Sequence, residues 1–470
     1  MAPIGTPENP LRVAIVGSGP SGFYAAGHLL KSKSHPDLVA QVDVFDRLPT
    51  PWGLVRGGVA PDHPNIKAVS RVYEKTAEHP EFRFYGNVEL GRDITHDDLT
   101  RHYHALIYAV GAQTDRRMGI PGEDLPGSWA ATEFVAWYNG HPDYRQLEFD
   151  LSAERAVVVG NGNVATDVAR MLALTREELA CTDVADHSLE VLADSGVREI
   201  VVLGRRGPAQ AAFTNPELLE LGDMTDADVI VDPGDAELDP LSLAFIESEA
   251  ASGTAKKNVE ILGGYSKRVP EGKRRRIVLR FLVSPVEILG SEHVEGVRIV
   301  HNELVEDEAG VLRPRPTGAT EEIECGLVFR SIGYRGTALE GIPFDERHAV
   351  IPNDRGRILA GDEPLRGEYV VGWIKRGPTG IIGTNKRDAQ ETVNLVLEDL
   401  DGGRLLDPAD PDRDSLDALI AERRPDAVSY AGWEAIDRAE KAAGEPHGRP
   451  RVKLCSFEDL LEAAGGRVEA

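Results

Sequence analysis

Two stretches of the chain constrain its fold more than any other feature. "VAIVGSGPSGFYAA" begins at Val13, and "AVVVGNGNVATDVAR" begins at Ala156. Each is an apolar run that ends in a Gly-x-Gly turn and opens into a helical pattern. Apolar runs without polar alternation suit parallel strands covered on both faces. A glycine turn leading directly into a helix brings backbone amides, and the positive end of the helix dipole, up to a diphosphate. One such unit implies one dinucleotide. Two predict an α/β chain with two Rossmann-like dinucleotide-binding domains.

The residues beyond the two turns differ, and so do the ligands they suit. Gly17, Gly19 and Gly22 form G-x-G-x-x-G, with Ser18, Pro20 and Ser21 between them, and the next strand, "AQVDVFDR", leads to Asp46. An acid about 20 positions past the glycines accepts hydrogen bonds from an adenosine ribose, which requires free hydroxyls and suits FAD or NAD rather than NADP. The second turn is the G-x-G-x-x-A variant, running from Gly160 through Asn161, Gly162, Asn163 and Val164 to Ala165. Its next strand, "REIVVL", ends in "GRRG", so Arg205 and Arg206 stand where a carboxylate would otherwise meet the ribose. Two planar guanidiniums suit a 2′-phosphate. The first turn therefore points to FAD and the second to NADP(H). Downstream, "FTNPELLEL" reads as a helix start with Asn215 as N-cap, Pro216 at the first helical position and Glu217 in the first turn. Glu217 lies near the expected nicotinamide end, to contact the cofactor or to serve the helix dipole.

Bulk properties narrow the function. At 470 residues, the chain accommodates two to four domains of ~150 residues each. A formal net charge of -26 repels nucleic acid and anionic membranes over most of the surface. No apolar run approaches the ~18 residues of a membrane span. The opening "MAPIGTPENPLR" lacks a basic segment followed by an apolar one, so no secretory signal is expected and the cytoplasm is the expected location. Cys181, Cys325 and Cys455 form no C-x-x-C. They leave no internal redox dithiol and too few thiolates for a four-Cys iron–sulfur cluster. All three read as small apolar fillers, and no metal site is expected.

Longer stretches carry a more specific signal. "LPTPWGLVRGGVAPDHPNIKAV" (Leu48 to Val69), "YAVGAQTDRRMGIPGEDLPGSWAATEFVAWYNGHPD" (Tyr108 to Asp143), "GRRGPAQAAFTNPEL" (Gly204 to Leu218), "GWIKRGPTGIIGTNKRDA" (Gly372 to Ala389) and the tail segment "AGEPHGRPRVKL" resemble the adrenodoxin-reductase-type ferredoxin–NADP reductases. The resemblance covers nearly the whole chain. It implies a three-layer architecture like that of the glutathione-reductase-type flavoproteins, with the NADP domain inserted into the FAD domain. The expected boundaries are 1–111 and 335–470 for the two parts of the FAD domain, the second with a C-terminal helical extension, and 112–334 for the NADP domain. Carried over by position, FAD contacts fall on Gly17 to Gly22, Asp46, Leu54, Val88, Trp373, Gly380, Ile381 and Ile382. NADP contacts fall on Arg116, Asn161, Gly162, Asn163, Val164, Arg205, Arg206, Glu217 and Gly380.

The resemblance also implies the reaction: hydride transfer from NADPH to FAD, then single-electron transfer to a small iron–sulfur ferredoxin, which can feed cytochrome P450s. It places His63 beside the flavin, where a histidine can tune the ring or relay a proton; the alternative is a local cap before the following helix. Asp167 and Glu220 are candidates for the same polar surroundings. Lys375–Arg376 and Lys386–Arg387 are the expected basic docking patch for the acidic carrier, ahead of "KRRR" at Lys273 to Arg276. A self-contained site favours a monomer. The competing readings are a flavin monooxygenase or NADPH oxidase, a nucleotide sensor without turnover, and a subunit of a glutamate-synthase-like assembly.

Overall fold

Every residue of the strand Leu11–Val16 is buried, and its alternation assigns neighbouring residues to opposite faces of a sheet. In the computed structural model, which describes residues 2–380 and 382–465, Val13 and Ile15 pack with Phe23 and Leu29 of the helix Pro20–Leu30 and with Val393 and Val396 of the helix Ile382–Asp401. Ala14 and Val16 face Leu99, Tyr103, Leu416 and Ile420 on the other side. A sheet filled on both faces in this way forms the middle of three layers.

The described residues divide into two compact units. The first comprises Met1–Thr114, Asn139–Asp143 and Tyr334–Ala470. Its parallel strands run in the order Glu363–Val370, Ala105–Tyr108, Leu11–Val16, Ala40–Phe45 and Phe82–Tyr85, extended at one edge by the antiparallel Arg357–Ala360 and Asn353–Asp354. The order changes direction around Leu11–Val16, so the crevice beyond its C-terminal end opens at Gly17, as expected of a dinucleotide site.

The second unit comprises Asp115–Tyr138 and Tyr144–Gly333. The six strands of its larger sheet are all parallel, in the order Ser128–Ala130, Leu327–Arg330, Arg155–Val159, Glu199–Leu203, Arg275–Arg280 and Ala227–Val231. Ala156 and Val158 pack into an aromatic-rich core with Phe134, Phe149 and Phe329. Val157 and Val159 face the antiparallel sheet Val283–Leu289, Gly296–Glu306, Leu312–Glu324 through Val283, Ile288 and Val297. This unit is therefore also three-layered, with helices on one face and a β-meander on the other.

The C-terminal helices belong to the first unit and brace the segment after its second strand. Glu440, fully buried in the helix Tyr430–Gly444, accepts from both Arg56 nitrogens, at 2.8 and 2.5 Å, and from Arg451 at 3.0 Å. Trp433 stands edge-on to Trp52, with ring centroids 4.9 Å apart. Burial pushes the Glu440 carboxyl up, but Arg56, Arg451 and the Leu454 amide outweigh it and hold the group below its usual range. Among the described residues, no helix is long and apolar enough to cross a membrane.

Candidate functional site

Each turn is held open from below. Gly17 has φ +107°, and a Cβ there would lie 2.5 Å from the Ala109 carbonyl oxygen. Gly160 has φ +126°, and its Cβ would lie 2.1 Å from the Ser331 carbonyl oxygen. Only glycine meets both requirements. The next glycine of each turn shows the opposite: around Gly19 and Gly162 a Cβ would meet nothing within 4 Å. Both residues are N-caps, of the helices Pro20–Leu30 and Asn163–Ala173, and neither helix start carries a side-chain cap. Each helix start thus lacks a side-chain cap and has open space beside its N-cap glycine, an arrangement that suits an anion.

In the first unit, the Asp46 carboxylate accepts from the Ser18 amide at 2.9 Å, from the Ser18 hydroxyl, and from the Leu48 amide at 3.0 Å. Burial pushes its carboxyl up, only partly offset by these donors and Arg47. Asp46 therefore fastens the glycine turn to the second strand. The Asp46 carbonyl also accepts from the amide of Val88, which is buried. Trp52, at φ +83°, donates its amide to Ser18 O at 2.9 Å, bringing Gly53 over the turn. Leu54, next along, is exposed. Gly372 comes down on the same helix start: a Cβ there would lie 2.3 Å from Ser21 Oγ. Its amide donates to Asp388 at 2.6 Å. The neighbouring Trp373 has a buried indole nitrogen with no partner among the described residues, an orphan donor of the kind a ligand satisfies. Gly380 is exposed at φ +82°, and Ile382 opens the following helix. Ile381 lies outside the described residues. These features fit FAD.

In the second unit, Arg205 is exposed and Arg206 half-buried. Among the described residues, neither guanidinium makes a hydrogen bond or ion pair. Their backbone is fixed, with Asn302 donating to Arg205 O at 3.0 Å and the Leu282 amide to Arg206 O at 3.1 Å. Loss of water, then Arg205 and Arg313, lower the Arg206 pKa. Two unpaired cations held side by side in a strongly acidic protein form a site for a multiply charged anion. Arg116 is likewise exposed, with its backbone tied to Gly333 O at 2.9 Å. Asn161 and Asn163 brace the turn against the segment before Glu217: Asn161 O accepts from the Ala212 amide at 3.1 Å, and Asn163 Oδ1 from the Thr214 amide at 2.8 Å. Gly162 and Val164 complete the turn, with Val164 packed against the core. These features fit NADP(H).

The candidate proton-handling residues divide between the units. His63 is buried in the first, at the N-cap position of Pro64–Lys67, but its side chain makes no capping hydrogen bond. Asp167, Glu217 and Glu220 belong to the second unit, where all three lie around the buried guanidinium of Arg170.

Several expectations need correction. Lys375 is buried, its ammonium 2.9 Å from Asp388 and 2.7 Å from Glu391. The Arg376 guanidinium bonds Asn385 at 2.6 Å and Thr379. This pair is internal scaffolding rather than a free docking charge. Lys386 and Arg387 are exposed. The N-cap of Asn215–Leu221 is Thr214, while Asn215 turns its side chain to Asn258 and Thr254. Cys325 and Cys455 are buried as fillers, burial pushing the Cys325 thiol up to about 12, whereas Cys181 is exposed.

Two glycine cradles on parallel sheets, one closed by an acid and the other flanked by free arginines, define an oxidoreductase of the two-dinucleotide type. Residues 11–202 match the family profile described as pyridine nucleotide-disulphide oxidoreductase. Over 463 residues the chain is 52% identical to NADPH-ferredoxin reductase FprA of Mycobacterium leprae, covering 98% of this chain and 100% of that protein. It is 41% identical over 468 residues to the mitochondrial NADPH:adrenodoxin oxidoreductase of Salvelinus fontinalis, covering 98% and 92%. The structure of Mycobacterium tuberculosis FprA in complex with NADPH superposes with a TM-score of 0.91 at 50% identity, covering 97% of this chain and 100% of that one. The chain belongs to the adrenodoxin-reductase-type ferredoxin–NADP reductase family.

Proposed function

We propose that the chain is an FAD-dependent NADPH–ferredoxin reductase, passing electrons from NADPH to a small iron–sulfur ferredoxin. The observation that carries this reading is the unpartnered Arg205–Arg206 pair beside the open second cradle. NADH would leave it with nothing to hold. FAD, when bound, supplies the chemistry of accepting a hydride and releasing electrons singly.

The protein's task is positioning, because hydride transfer needs stacked rings more than acid–base assistance. We assign FAD to the first unit, with contacts on Gly17 to Gly22, Asp46, Leu54, Val88, Trp373, Gly380 and the loop through Ile382. NADP(H) goes to the second unit, on Arg116, Asn161 to Val164, Arg205, Arg206 and Glu217. His63, Asp167 and Glu220 serve the polar surroundings of the reacting rings. The exposed Lys386 and Arg387 steer an acidic ferredoxin toward the flavin loop, an effect that fades with salt over a Debye length of ~8 Å. The enzyme acts as a monomer.

The decisive experiment is an anaerobic NADPH titration of the purified protein, followed by a [2Fe–2S] or [3Fe–4S] ferredoxin with cytochrome c as reporter. The expected result is flavin bleaching by NADPH in preference to NADH, then carrier-dependent cytochrome reduction. Flavin that stays oxidised, or that passes electrons only to oxygen, overturns the proposal.

A further inference from the structure

We propose that Arg170 is a positioning residue for hydride transfer, holding Glu217 and so fixing the nicotinamide end of the NADP(H) site. The inference rests on the assignment of NADP(H) to the second unit.

Arg170 is 3% exposed. Its Nη2 lies 2.7 Å from Asp167 Oδ1, one helical turn back. Its Nη1 lies 3.3 Å from Glu217 Oε2 and 3.7 Å from Glu220 Oε2. One guanidinium thus spans carboxylates from two helices, Asn163–Ala173 and Asn215–Leu221. Asp167 and Glu217 are themselves buried. Arg170 is one of the groups that hold these buried carboxylates, and removing its charge and hydrogen bonds loosens the hold on Glu217.

The same two helices are joined again at the mouth of the cradle, where Asn163 Oδ1 accepts from the Thr214 amide at 2.8 Å. The cradle holds the diphosphate. Arg170 lies two turns further along the helix that begins there, and ties the first-turn Glu217 to that helix. The two fastenings make one rigid body of the part that grips the diphosphate and the carboxylate expected to meet the nicotinamide. A lysine cannot substitute fully, because one ammonium lacks the planar fork that serves two helices at once.

The test uses the FAD-loaded enzyme with Arg170→Met and Arg170→Lys. Three quantities are measured: the limiting rate of flavin reduction at saturating NADPH, the change NADP+ makes in the flavin spectrum, and the Kd for 2′,5′-ADP, which engages only the adenine end. Arg170→Met is expected to lower the limiting rate about 10- to 100-fold, the scale of a small misplacement of reacting groups. It should also alter the NADP+-induced spectrum and keep the 2′,5′-ADP Kd within about twofold. Arg170→Lys should fall between the two. A wild-type rate in Arg170→Met, or a rate loss matched by equal loss of 2′,5′-ADP affinity, overturns the proposal. If Arg170→Met does not fold, Arg170→Lys decides alone: an intermediate rate with unchanged 2′,5′-ADP binding supports it, and a wild-type rate refutes it. Failure of the wild-type protein to bind 2′,5′-ADP would instead remove the NADP(H) assignment itself.

Discussion

Replacing Arg205 and Arg206 together by alanine should remove the preference for NADPH while leaving NADH use intact. Among the described residues, neither side chain has a hydrogen-bond or ion-pair partner to lose, so the change should not disturb the fold. The half-buried Arg206 offers a charge-assisted hydrogen bond worth about 2 kcal/mol. The exposed Arg205 contributes about 1 kcal/mol after solvent screening. The sum, about 3 kcal/mol, corresponds to roughly 100-fold in Kd at 1.4 kcal/mol per tenfold. A bound dianion would also relieve the repulsion that Arg205 and Arg313 exert on Arg206, so Arg206→Ala alone should cost more than Arg205→Ala alone. The assay is flavin reduction titrated with NADPH and with NADH, at low and at high ionic strength. The wild-type preference should shrink with salt, chiefly through Arg205. An equal loss for NADPH and NADH would make the pair structural. A preference that survives both substitutions would place the 2′-phosphate elsewhere, and the reasoning would fail.

Gly19→Val should leave the melting temperature of the flavin-free protein nearly unchanged but lower its FAD content, since a side chain there enters space that the protein leaves open. Gly160→Ala should instead destabilise the fold by about 1–3 kcal/mol, because φ +126° and the Ser331 carbonyl both exclude a Cβ; thermal unfolding with FAD analysis separates the two, and equal effects on both would undo the distinction. Glu440→Gln should cost about 3 kcal/mol at pH 7, as expected for breaking a buried ion pair. Because the folded-state carboxyl is held below its usual range, that contribution is fully present above the unfolded value of about 4.3 and is lost as pH falls through the lower folded one. The urea midpoints of wild type and variant should therefore converge in acid, and a gap that persists there contradicts the charge argument. Lys386→Glu with Arg387→Glu should slow ferredoxin-linked cytochrome c reduction more than ferricyanide reduction at low salt; an unchanged ratio of the two rates rules out that docking site.

The difference between what could and could not be read along the chain is one of distance. The cradles were legible because strand, turn, helix and the charged residue at the next strand end lie in one local unit, and the alternation that places Val13 and Ala14 on opposite faces is a local property too. Lys375–Arg376 and Lys386–Arg387 look alike in sequence, each a basic pair beside the same glycine loop. What separates them is a carboxylate pair on the following helix: Asp388 and Glu391 face Lys375 and neutralise it, and Glu391 stands 16 residues away. Their three-residue spacing, which puts both on one helical face, was the available signal. Arg170 shows the same limit. Its bond to Asp167 spans one turn, whereas Glu217 is 47 residues distant and arrives with a helix that packs on Asn163–Ala173 through Leu218 and Leu221 and is tied to it by the Thr214 amide on Asn163. Arg56 and Glu440, 384 residues apart, leave no mark on either local pattern. A buried charge whose counter-charge is remote reads as a surface charge until the fold brings the two together. The Lys386–Arg387 pair, with no carboxylate contact among the described residues, keeps its charge at the surface, while Lys375 spends its own inside.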